Sequence, residues 1–509
     1  MSPRTRVLPR ALVVLAVGTL AVAGLTACGP AAAPEDKPSA VYRMPITDPA
    51  TEIDPFLASN YSALAITGLV TEPLVSLDAE GALNARLAKA WEPSDDGLTW
   101  TVTLREGARF NDGTPVTADD VVATFGAIIS ESSLSPGRTA FVGVLDDLTA
   151  TAHDTVEFSL LRPFSDFPLL LTGTNTGILP AGYETGTWLE EPVGAGQFLL
   201  EDYTVGVGAT YVKNPDYWNA DAIDLDGVEL RIFDDMQAAA LAFQVGEIDR
   251  IGLTAEVAGA IDVADYDLIS SGYNRFDGIV LDVASAPFDD RSVREALAWA
   301  VDREALVDDV YEGNADVAND TVFFPDHVPQ PQGLTQRQQD LDRVADLLAG
   351  RTVSFTITTP NQLLGEVLQQ QLNAVDGFEV GLEVLTAEAY YGGDPAPWLS
   401  APVTATSWAK RVPSQYLSLV YATGSAWNAS HYANSALDEL TAEFDAATDE
   451  VERQELTDRI AEIQWTDVPV VIPAFSKSQA LQNPRVQGEF VGAVDFYTGY
   501  NFAGISVAP

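Results

Sequence analysis

The chain has a single cysteine among its 509 residues, Cys28, so no intramolecular disulfide can form and no cysteine-based metal cluster can assemble. Histidine is nearly as scarce. His153, His327 and His431 lie far apart, without the repeated spacing that metal or haem ligation uses, so no metal site and no cofactor are expected. Basic charge is short as well: 27 Lys and Arg stand against 74 Asp and Glu, for a formal charge of −47. A surface of that sign repels phosphate backbones, which excludes nucleic acid as a partner, and it favours solubility. The G-x-S-x-G elbow and the H-E-x-x-H pair are missing, and no P-loop lysine follows a glycine-rich turn. A glycosidase carboxylate pair stays open, because only geometry identifies it. The small and apolar run from Ala11 to Ala27 falls short of the roughly 20 residues a membrane-spanning helix needs.

What the chain does have is enough apolar material for packed interiors, 47% hydrophobic with 9% aromatic, over a length that should divide into two or three lobes. Arg4, Arg6 and Arg10 precede the run Ala11 to Ala27, the n-region and h-region of a secretory signal peptide over residues 1–27. The ending Leu25-Thr26-Ala27-Cys28 resembles the lipobox of bacterial lipoproteins, which implies a lipid on Cys28. No Arg-Arg pair is present, so export by the general secretory route is expected. Residues 28–40, rich in Ala and Pro, read as a flexible tether.

The densest local pattern runs from Leu87 to Phe125. Asp95-Asp96-Gly97 signals a turn, since Asp bonds its own backbone and Gly tolerates positive φ. Thr99 to Leu104 alternates polar and apolar, the period of a half-buried strand, and Ala108 to Phe110 is expected to return as a second strand. Thr117 stands at an N-cap with Asp120 three residues on, ahead of a helix whose apolar face is Val121, Val122, Phe125, Ile128 and Ile129. The same reading expects strands at 41–46, 155–160 and 351–359, and a buried strand at 467–473. It expects helices over 238–249, 291–301, 302–313 and 363–372, and around Leu437 to Phe444 and Leu456 to Ile463. Arg291, Arg294 and Arg303 read as helix-surface ion pairs. Gly194-Ala195-Gly196 lacks the lysine and spacing of a phosphate loop. Asp221, Asp224 and Asp226 read as an acidic turn, because Ala222 and Phe233 break the calcium-loop pattern.

The wording is more specific than the pattern. The run WEPSDDGLTWTVTLREGARFNDGTPVTADDV resembles the signature block of the peptide/nickel-type (family 5) solute-binding proteins of ABC importers. Further blocks agree in order: Ile53-Asp54-Pro55, Pro192 to Phe198, Asn214 to Trp218, Ala238 to Asp249, Pro287 to Arg303 and Asp467 to Pro473, so the resemblance covers about Ile53 to Phe490. It implies an α/β, periplasmic-binding-protein-like fold (type II, cluster C) of two hinged lobes with an extra inserted domain. The expected division is lobe I from 41–75, 192–281 and 488–509, an inserted domain II from 76–191, and lobe II (domain III) from 282–487. Ligand would lie between the lobes and close them. The resemblance further implies a monomer without catalysis that hands solute to a permease with ATPase subunits. The lipid on Cys28 would hold it at the outer face of the cell membrane. Two other readings stay open: a lipid-anchored secreted hydrolase, and a binding protein that senses solute without transport.

Trp408-Ala409-Lys410-Arg411-Val412-Pro413 stands where peptide-binding relatives carry W-x-x-D-Y-P-D-P, whose aspartate pairs with the peptide's free amino group. Here Arg411 reverses the charge, which favours a carboxylate or phosphate over an ammonium; the competing expectation is that Arg411 pairs with one of the chain's own acids. Trp408, Tyr416, Trp427, Asn428 and Tyr432 are expected to complete that wall, with Arg138 and Phe141 opposite, and the resemblance implies that the chain passes close to the cleft after Ile53-Asp54-Pro55, near Asn60 and Tyr61.

Overall fold

Three sheets organise the chain. The computed structural model describes residues 40–46, 52–78, 81–488 and 500–508; the signal peptide, Cys28 and the tether up to Ser39 lie outside the described residues. In the first sheet Val41–Ile46 pairs in parallel with Gly227–Ile232, which continues antiparallel to Gly208–Lys213 and then to Phe198–Thr204. Tyr42, Met44 and Ile46 point into a core shared with Tyr211, Leu230 and Phe502, as the alternation of that strand requires.

The pattern-rich stretch builds the second sheet, four antiparallel strands in the order Ala88–Pro93, Thr99–Leu104, Thr155–Leu160, Leu145–Ala152. Trp100, Val102 and Leu104 are buried against the helix Ala118–Ile129, where Phe125 meets Phe141 and Phe158 edge-on at 5.4 and 5.3 Å. Asp120 caps that helix, its carboxylate accepting from Thr117 N–H and Oγ1 at 2.8 Å each. The second strand expected at Ala108 to Phe110 does not form. That segment folds on itself, with Phe110 N–H donating to Thr114 O at 2.9 Å, and only Arg109 and Pro115 bridge. Thr155–Leu160 takes the place beside Thr99–Leu104.

The third sheet has eight strands, on the path Arg250–Gly252, Ala474–Gln482, Asp267–Leu281, Val403–Ala409, Val353–Thr359, Phe378–Val384, with Ala315–Val317 and Val470–Val471 joined at its side. Val353–Thr359 and Phe378–Val384 run parallel, linked by the helix Gln362–Asn373, the crossover a parallel pair needs. The strand expected over 467–473 shrinks to Val470 and Val471.

The helix Arg291–Ala300 buries Val293, Ala296, Leu297 and Ala300, and Arg303–Tyr311 follows it. Arg291 remains half exposed, pairing with Asp467 at 3.9 Å. Arg294 and Arg303 are interior, not surface, because buried acceptors take their donors. Arg294 donates to Phe288 O at 2.7 Å and Asp467 O at 2.8 Å. Arg303 Nη2 reaches Asp320 Oδ2 at 2.9 Å, and Arg337 pairs with the same oxygen. All three of Arg303, Asp320 and Arg337 are at most 2% exposed.

Two further contacts bear on the site. Gly196 N–H donates to Val70 O at 2.7 Å, and a Cβ on Gly194 would lie 2.2 Å from that oxygen; the glycines allow two backbones to touch. The loop after Thr155–Leu160 reaches the helices Ser435–Ala446 and Glu450–Asp467, where Arg162 pairs with Asp445 and Arg453 with Asp166.

Asp320→Asn keeps the shape of the buried cluster and removes its only anion. We expect a loss of about 3–5 kcal/mol, the usual cost of stranding buried charge, read as a lower urea midpoint; a loss below about 1 kcal/mol would contradict the assignment. Burial pushes the Asp445 carboxyl up to about 6 from its ordinary 3.8, against the pull of Arg162 and Ser414. A folded-state value above the unfolded one means this group's contribution is fully present below about pH 4 and is lost as pH rises through 6. Asp445→Asn should therefore flatten the pH dependence of the urea midpoint across pH 4 to 6, and an unchanged slope would refute it.

Candidate functional site

A cavity of about 330 Å³ opens where three chain segments meet a fourth. Ala58, Ser59 and Leu64 come from the start of the helix Tyr61–Gly68, whose N-cap Asn60 accepts from Ala63 N–H at 2.9 Å. The Gly137 to Phe141 turn supplies a second portion and Leu170 to Thr176 a third. Asn175 welds two of these together, its Nδ2 donating to Pro55 O at 3.0 Å and Ala58 O at 2.9 Å. Facing them are Lys410, Arg411, Gln415, Leu419 and Trp427. Strand Val403–Ala409 aims this last segment. It pairs with Asp267–Leu281 on one side, and Pro413 starts a helical turn just beyond it.

The charges in this cavity are all of one sign: two cations line it, and no Asp, Glu, His or Cys is among the lining residues. Lys410 is neutralised by Asp326 at 2.6 Å. Arg411 is not. Its Nη1 donates to Ala409 O at 3.0 Å and its guanidinium lies 5.5 Å from the Trp427 ring, while among the described residues no carboxylate pairs with it. His327 adds no third cation at neutral pH: burial, then Lys410 and Arg453, hold its pKa well below the usual value. An anion entering here meets a half-buried guanidinium, and an ammonium meets no counter-charge. The lining carries the hydroxyls of Ser59, Thr139 and Thr176 and the amine of Lys410, with no carboxylate, imidazole or thiol among the lining residues.

Of the residues singled out from sequence, Phe141, Arg411 and Trp427 line the cavity. Trp408 stands behind Trp427, ring centres 6.2 Å apart, 5% exposed and with Nε1 unpartnered among the described residues. Tyr416, Asn428 and Tyr432 turn inward. Tyr416 OH donates to Ala409 O, Asn428 Nδ2 donates to Tyr432 O at 2.8 Å, and Tyr432 OH donates to Asp467. Asn60 is occupied as a cap, and Tyr61 beside it is 43% exposed without touching the cavity. Arg138 donates to Ser130 O at 3.0 Å and points away, although its neighbours Gly137 and Thr139 line the wall. Sequence reasoning missed Leu170, Gly173 and Asn175: Leu170 ends the one-turn helix Phe167–Leu170 and Asn175 sits in the short helical turn Thr174–Thr176, both too short to leave a periodic signal.

Comparison with known proteins identifies the family and the fold. The model of bacterial extracellular solute-binding proteins, family 5 (middle region), matches residues 82–430. The nickel-binding periplasmic protein of Escherichia coli K12 is 27% identical over 55% of this chain, which spans about half (55%) of that relative. The dipeptide-binding protein DppE of Bacillus subtilis 168 is 24% identical over 86% of this chain and 87% of its own. The unliganded open form of the murein tripeptide-binding protein MppA superposes with a TM-score of 0.80 at 19% identity, over 92% of this chain and 98% of that one. The fold is that of type II periplasmic binding proteins, and the chain belongs to the family 5 extracellular solute-binding proteins.

Proposed function

We propose that this chain is the solute-capturing subunit of an ABC importer, and that its cargo is a small anionic or peptide-like compound without a free ammonium in the cavity. The single observation that carries the cargo assignment is Arg411, a half-buried guanidinium without a carboxylate partner among the described residues, in a cavity whose lining holds no acid. A carboxylate or phosphate gains charge-assisted hydrogen bonds there, strengthened by the removal of water. Trp427 offers an apolar face beside the charge.

We read the chain as lobe I, an inserted domain II and a C-terminal lobe, an arrangement in which capture would proceed by hinged closure. Two connections lead out of the third sheet: one from Gly227–Ile232 of the first sheet to Arg250–Gly252, and one from Ala474–Gln482 to Val486–Gln487, which pairs with Ser506–Val507 and puts Val486 into the core beneath the first sheet. Asp249, buried between them, accepts from Arg43 N–H at 2.8 Å and from Arg485 Nε at 2.6 Å, fixing where the strands pass. Closed, loaded protein would then pass its solute to a permease driven by ATPase subunits, working as a monomer held to the membrane by the lipid on Cys28.

Calorimetry of the mature chain against N-acetylated and free-amino peptides and small dicarboxylates tests the cargo class. Arg411→Ala should weaken binding of the anionic probes about 10- to 150-fold, since a hydrogen bond to a charged group contributes about 1.5–3 kcal/mol. Tight, amine-dependent binding that survives Arg411→Ala would overturn it. For the anchor, Cys28→Ala should move the chain from the membrane fraction to the medium; unchanged fractionation would rule the lipid out.

A further inference from the structure

The loop between Thr155–Leu160 and Phe167–Leu170 meets the C-terminal helices through ion pairs and hydrogen bonds, and it does so beside the cavity. Asp166 accepts from Ser414 Oγ at 2.7 Å and pairs with Arg453; Arg162 pairs with Asp445; Ser165 N–H donates to Asp445 O at 2.6 Å. Both acids are buried, Asp445 to 2% exposure and Asp166 to 8%. Arg453 is anchored on its own side by Phe444 O at 3.1 Å and by the Phe444 ring 4.0 Å away. The loop continues into Leu170, Gly173 and Asn175, and Ser414 immediately precedes Gln415, so the contact borders the cavity on two of its walls.

We infer that Arg162, Ser165 and Asp166, gripping Ser414, Asp445 and Arg453, form a polar clasp that limits how far the two sides of the cavity separate when no cargo is bound. The inference goes beyond capture itself but rests on the hinged reading above. Its chemistry suits a reversible contact. An apolar seam loses its whole driving force when opened, whereas fully separated ions recover hydration, so the contact can re-form after it opens. Partnerless acids left inside are expensive, which keeps the clasp from slipping halfway. The two sides lie more than 240 residues apart in sequence, as Asp166 and Ser414 do, so the clasp is a second link independent of the crossing strands.

Small-angle scattering of the cargo-free mature chain tests this, with Arg162→Gln, Asp166→Asn and the double variant compared with Arg459→Gln. Arg459 pairs with Glu443 between the same two helices without reaching the loop. Clasp variants should expand beyond the roughly 23 Å radius of gyration expected for a compact chain of this length, the double variant at least as much as either single one, while Arg459→Gln stays at the parent value. Circular dichroism establishes that each is folded, and Asp166→Asn, the mildest change, keeps the test available should Arg162→Gln misfold. Equal radii for all folded variants, or expansion of Arg459→Gln as well, would overturn the clasp. Calorimetric failure to bind any solute would instead strike at the capture reading, so the two outcomes are separable.

Discussion

Asp320 is the point on which the C-terminal half turns. It sits in the left-handed region at φ 59°, a conformation Asp tolerates better than most residues. From there its carboxylate takes Arg303 from one helix, Arg337 from a long connection and Ile472 N–H from the segment beside Val470–Val471. Arg337 in turn lies 4.3 Å from the Trp465 ring centre and donates to Trp465 O at 2.9 Å, so the helix Glu450–Asp467 is drawn into the same knot. One carboxylate therefore sets the spacing of a helix, a strand and a connection against the eight-stranded sheet. That sheet carries Val403–Ala409, and Val403–Ala409 aims Arg411.

The N-terminal half has a counterpart in Glu72. Arg86 grips it with two donors at 2.7 and 2.8 Å, and Tyr217 and Trp218 donate at 3.0 and 3.1 Å. Arg105 covers Trp218 at 3.3 Å. Four donors converge on a 1% exposed carboxylate, three on Oε1 and one on Oε2, which is what makes such burial tolerable. In both halves a hydrogen-bonded acid at the centre of converging segments does work that no single apolar contact could, because hydrogen bonds fix direction as well as distance.

Much of this architecture was legible before any coordinates. Alternation gave Thr99–Leu104, the Thr117–Asp120 box gave the helix that follows it, and helical spacing gave Arg291–Ala300, because each signal lies within a few residues. The family wording reached further, since it spans separate blocks. What stayed hidden depended on partners distant in the chain. Nothing in the sequence near Arg303 announces Asp320, so a buried cation read as a surface one. Tyr416 and Tyr432 look like ligand aromatics until Ala409 O and Asp467 claim their hydroxyls. The wall from Leu170 to Asn175 has no periodicity to read, and only its docking to Pro55 and Ala58 makes it a wall. Arg411 is the exception: a charge standing where the family pattern has its opposite was visible from the sequence.

The acid-free lining has a kinetic side. An anion approaching a chain of charge −47 climbs a repulsive field until it is within a Debye length of the guanidinium, about 8 Å at physiological ionic strength. Dissolved ions shorten the range of both fields, but the many distant acids lose more than the one close cation does. For an anionic cargo, capture would quicken as the medium grows saltier, the reverse of the usual behaviour of a steered encounter, and a predominance of acidic side chains outside would be compatible with a basic grip inside.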